Sequence, residues 1–146
     1  MRGPRHERGV MLIEALIAIL IFSIGILAVV GMQSVAIKNV TDAKVRSDAA
    51  FLVNEMLSQI WSDAGNINSY QYAGTGSNPR LTAWLAKVNA RLPDSTNVPP
   101  TITVTGGTPL GGQVQITVFW RLPQEATQGV PAHQHSVIAN VAYNPP

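Results

Sequence analysis

Glu14 stands inside the apolar run RGVMLIEALIAILIF, residues 8–22. A carboxylate in such surroundings costs a few kcal/mol on insertion scales, so it marks a function or meets a partner. The chemistry it offers is ionic, and it calls for a positive group within reach of one helical turn or from a neighbouring chain. Elsewhere the candidates are thin. His133 and His135 of HQH point the same way if extended, as two metal ligands would, but no third ligand stands nearby and a solvated loop pair is the expectation. Asp94 and Glu125, the few acids outside the helical segments, sit in Pro-rich turns with no partner at catalytic spacing. With no GxSxG, HExxH or phosphate loop, the reading is of a protein that is not an enzyme and needs no metal or cofactor.

The element that must carry Glu14 is a membrane helix. From Ala15 to Ile37 the chain has 23 residues without a formal charge, enough to span roughly 34 Å as a helix. Ser23, Gln33 and Ser34 are its only polar side chains, and a hydroxyl can bond back to the preceding turn. The net charge of +2 lies in MRGPRHERG, where Arg2, Arg5 and Arg8 face Glu7, and the remainder carries seven basic and seven acidic residues. That placement, with nine aromatic residues not interleaved with a basic patch, gives no support to nucleic-acid binding. It predicts instead that the N-terminus is cytoplasmic and the C-terminal part is outside. Cysteine is absent, so packing alone must hold the fold.

A secretory signal would end in a small-x-small site, but VAIKNV, residues 35–40, offers none. Cleavage ahead of the apolar run, between Gly9 and Val10, would leave the membrane helix on the mature chain. There Arg8-Gly9-Val10-Met11-Leu12-Ile13-Glu14 resembles the processing site of type IV prepilins and pseudopilins, usually written as glycine followed by Phe-Thr-Leu-Ile-Glu. The Gly, Leu-Ile and Glu positions match, whereas Val10 and Met11 depart from the common Phe and Thr. The resemblance implies a leader peptide of residues 1–9, cleavage after Gly9 by prepilin peptidase, and N-methylation of the new terminus at Val10. It also implies that Glu14 meets the terminal amine of an adjacent subunit and aligns it.

Neither Pro nor Gly occurs between Gly31 and Gly65, so the helix should run from about Val10 to Ser62. Ala49, Leu52, Val53, Met56, Leu57, Ile60 and Trp61 supply its apolar face, with Lys44 and Asp48, and Asp42 and Arg46, as pairs one turn apart. AGNINSYQYAGTGSNP then reads as a loop, residues 80–92 as a short helix ended by Pro93, and residues 101–105, 113–121 and 135–143 as strands. Trp61, Trp84 and Trp120 are expected in the core. The fold class is α+β: a long N-terminal helix, transmembrane then amphipathic, packed on a small antiparallel sheet. The resemblance adds a type IV pilin-like layout, with residues 10–37 as the membrane and filament-core half and 38–146 as the periplasmic domain.

Within that class, FSIGILAVVGMQ, residues 22–33, is similar to the SIGLLGLAGLQ stretch of the PilV family of type IV pilus modification proteins. The implied role is that of a minor pilin that initiates or modifies pilus assembly. Its implied partners are other minor and major pilins, an inner-membrane assembly platform, and membrane lipid before assembly. Its implied location is the inner membrane and then the fibre at the cell surface. A minor pseudopilin of type II secretion would have nearly the same N-terminal helix, and an uncleaved anchor presenting a periplasmic binding domain is a third reading.

Overall fold

The computed structural model describes residues 7–108 and 111–143, with side chains from 9 to 107 and from 111 to 143. Arg2 and Arg5, and so most of the expected leader, lie outside the described residues. The first helix, α1, is Glu7–Ser62 and thus begins three residues ahead of the expected start at Val10. The chain divides into two compact units between Asp42 and Ala43.

In the second unit Val45, Ala49, Leu52, Val53, Met56 and Ile60 are buried along one stripe of α1, the three-and-four spacing of a helix laid on a core. Trp61 departs from expectation and is 47% exposed, because it stands about 100° round the helix from Ile60 and leaves the stripe. Asp48 also departs: its ion pair is with Arg91 of the next helix at 3.9 Å rather than with Lys44. That next helix, α2, is Thr82–Arg91. It buries Trp84 and Val88, and the Trp84 indole N–H donates to the Leu52 carbonyl of α1 at 2.9 Å.

The stretch expected as loop holds a 3₁₀ helix, Ala64–Tyr70, kinked at Asn66. Its buried residues Ala64, Ile67 and Tyr70 recur every third position, which is the 3₁₀ period. Asp63 ties this turn down. Its carboxylate accepts from the Asn66 amide at 2.7 Å and the Tyr70 hydroxyl at 3.0 Å, and pairs with Arg80. The Asn66 hydrogen bond, reinforced by Tyr70 and Arg80 against the opposing effect of burial, holds the Asp63 carboxyl below its ordinary value of 3.8. Burial and the bond to Asp63 push the Tyr70 phenol up. A depressed carboxyl stabilises the fold above its unfolded-state value and loses that contribution as pH falls through the folded-state value. Asp63→Asn should therefore lower the thermal midpoint of the detergent-solubilised chain at pH 7, and the gap to the parent should shrink below about pH 4. A gap unchanged at pH 3 would refute this.

Three strands follow: β1 Thr101–Thr108, β2 Gly111–Trp120 and β3 His133–Ala142, an antiparallel meander in the order β1-β2-β3. Alternation places Ile102, Val114, Ile116, Val118, Trp120 and Val141 in the core and Thr103, Thr105, Gln113, Gln115, Ser136 and Asn140 in water. The β2–β3 register is unbroken from Gly111 against Ala142 to Trp120 against His133, whereas β1–β2 slips between Thr105 and Thr108. Beside β1, Tyr72 forms an isolated antiparallel bridge to Ile102. A five-residue helix, α3 Pro123–Thr127, separates β2 from β3.

Asp94 and Glu125, for which the sequence offers no partner at catalytic spacing, each have structural partners. Asp94, at φ 63, lies 2.8 Å from the Arg121 guanidinium, and its carboxylate accepts from the Asn97 amide at 2.6 Å. Glu125 accepts from the Leu122 N–H at 3.0 Å at the start of α3 and contacts His133 Nε2 at 3.1 Å. HQH is likewise no loop. His133 and His135 are half-buried on the inner face of β3, with His133 stacked on Trp120 at a centroid distance of 5.8 Å.

Candidate functional site

The N-terminal part of α1 is apolar on every side and exposed on every side. Its large side chains, from Val10 through Leu16, Phe22 and Leu27 to Val40, stand in solvent. Burying each such side chain is worth about 1.5–3 kcal/mol, so leaving this surface in water is costly. Gly9–Ser62 contains a window long and apolar enough to cross a membrane, none of it buried within the chain. Within it the Ser23 hydroxyl donates to the Ile19 carbonyl at 2.7 Å, which satisfies the hydroxyl within its own helix.

Two shallow apolar grooves mark this helix. Val10, Ile13, Glu14 and Ile17 line the first, so the structure brings Val10 and Glu14 to one face, one turn apart, among isoleucines. Glu14 is exposed and has no ion-pair partner among the described side chains. Phe22, Gly25, Ile26, Val29, Val30 and Gln33 line the second, roughly a third of a turn round the axis. A methyl group at Gly9, Gly25 or Gly31 would meet nothing within 4 Å, so none of these glycines serves packing inside the chain. The Gly9–Val10 bond lies within α1 rather than at its start. Gly9 weakens the helix there by about 1 kcal/mol relative to alanine.

A second constellation joins residues distant in sequence. Arg46, Trp120, His133, Gln134 and His135 line a cavity of about 230 Å³ at the start of β3. The period-two placement of His133 and His135 was legible, but Arg46 is distant in sequence and only the packing of α1 on the sheet brings it there. Among the described residues no group of three or more His, Cys, Asp or Glu is arranged to hold a metal ion. The sequence matches no family model, and neither the curated proteins nor the solved structures contain a match.

Proposed function

We propose that this chain is a minor pilin of a type IV pilus, of the PilV kind, with a type IV pilin-like fold and a role in initiating or modifying assembly. The observation that carries this reading is Glu14, the one formal charge between Arg8 and Lys38, placed on the same helix face as Val10 and one turn from it. Cleavage after Gly9 turns the Val10 nitrogen into a cationic amine, the missing counterpart of that carboxylate in an apolar medium.

In this mechanism prepilin peptidase removes residues 1–9 and methylates Val10, with the N-terminus on the cytoplasmic side and the second unit in the periplasm. The helix waits in inner-membrane lipid. An assembly platform then extracts it into a bundle of minor and major pilins, where neighbouring helices replace lipid around Val10–Val40. Ionic pairing sets the axial position of an incoming subunit, because a hydrophobic surface alone would let it slide. The exposed apolar surface of α1 and the lack of a partner for Glu14 within the described chain both support this.

Mass spectrometry of the chain isolated from its native cells should find an N-methylated Val10 terminus. An intact Met1 terminus in cells with active prepilin peptidase would refute the reading. Deletion should abolish surface pili, and loss of protein secretion with pili intact would point to a type II secretion pseudopilin instead.

A further inference from the structure

The three strands, TITVTGGT, GGQVQITVFW and HQHSVIANVA, contain no Lys, Arg, Asp or Glu, although the chain holds ten basic and eight acidic residues. In an ordinary domain about a quarter of the residues are charged. On the face of the sheet turned away from the core, strand pairing lines up two adjacent rows: Thr103, Gln115 and Ile138 in one, Thr105, Gln113 and Asn140 in the other. All six side chains are exposed. The strands' two histidines, His133 and His135, stand on the opposite, inner face.

The amides of these rows are laid across the strands. The Gln115 amide donates to the Ser136 hydroxyl at 3.2 Å, and the Gln113 amide donates to the Asn140 side-chain carbonyl at 3.4 Å. Each bond uses one hydrogen of an NH2 group. Gln113 and Gln115 therefore still present an N–H and a carbonyl oxygen, Asn140 presents its NH2, and the Thr103 and Thr105 hydroxyls donate and accept.

What such a face fits follows from what it lacks. A nucleic acid, an anionic lipid surface or an acidic peptide needs cations here, and the rows hold none. A second sheet, of this chain or another, needs apolar side chains that interdigitate. Ile138, 59% exposed, is the only large one in the two rows, and burying one isoleucine does not offset the freedom lost on association. An uncharged polyhydroxyl chain requires neither. Its hydroxyls donate and accept as the amides do, and the C–H face of a sugar ring finds an apolar seat at Ile138.

We propose that the outer face of β1-β2-β3 binds a neutral polysaccharide, held by Gln113, Gln115 and Asn140 with a sugar ring over Ile138. Amides already fixed across the strands lower the ordering cost of that contact. The site lies within the second unit and rests neither on leader cleavage nor on Glu14.

The test uses the full chain in a detergent without a sugar head group, sedimented with cross-linked beads of dextran, mannan or galactan and, as the charged control, of dextran sulfate. At least one neutral polymer should retain the chain, and retention should be the same between about 50 and about 500 mM salt. The double variant Gln113→Ala, Gln115→Ala and, separately, Ile138→Asp should each weaken retention at least about tenfold while circular dichroism shows the parental fold. Retention by none of the neutral polymers, retention by dextran sulfate alone, loss of retention in salt, or full retention of both variants would overturn the proposal. So would self-association of the chain that both variants abolish.

Discussion

Glu14→Ala is expected to leave leader removal intact while cutting incorporation into pili by at least about tenfold, measured as mature chain in sheared fibres against chain in membranes. The size follows from the environment. A charge pair in an apolar bundle is worth several-fold more than one in water, and removing one partner leaves an uncompensated ammonium group. Glu14 has no ion-pair partner among the described side chains of its own chain, so the substitution has no fold to disturb. Gly9→Leu should do the reverse and accumulate the unprocessed form. A side chain at Gly9 meets nothing within 4 Å, so that block would arise at the peptidase and not from misfolding. Parental levels of Glu14→Ala in fibres would end the pairing role.

The second large effect concerns the hairpin between β1 and β2. Gly111 has φ 125, and a Cβ there would stand 2.1 Å from the Val141 carbonyl oxygen and 2.8 Å from the Ala142 Cα, both backbone atoms. Neither neighbour can swing away as a side chain would. Gly111→Ala should cost at least about 3 kcal/mol and lower the thermal midpoint by several degrees or more. Gly106, at φ 65 with nothing within 4 Å of a Cβ, provides the comparison: Gly106→Ala carries only the backbone term, about 1–2 kcal/mol. Circular dichroism melts that rank the two variants equally would show that the contact with β3 is not what constrains this turn.

Much of the architecture was legible because it is written in periods. The absence of breakers from Gly31 to Gly65 announced one uninterrupted helix, the buried stripe from Ala49 to Ile60 announced the packed face, and alternation announced the strands. Trp61 lies outside the core although aromatic size favours burial, because its helical angle takes it off the stripe. The 3₁₀ helix was missed since Gly, Asn and Ser dominate its composition, although Ala64, Ile67 and Tyr70 carried a three-residue period beneath it. Pro131 and the polar residues before it mask the start of β3, which lies two residues ahead of the expected His135. Partners such as Arg121 for Asp94, or Arg91 for Asp48, come from folding distant segments together, and no spacing rule reports them. That Val10 and Glu14 share a helix face is legible for the opposite reason. It is local, and a single helical turn brings its two ends together.

The bridge at Tyr72 limits how the sheet can grow. Open-ended stacking requires two adhesive borders on every copy, one to give and one to receive, and here one border is already filled by the chain's own residues 71 and 72. Continuation into a ribbon through its own sheet is therefore hindered at β1. A long polymer built from this chain would have to draw its continuity from elsewhere than its sheet edges.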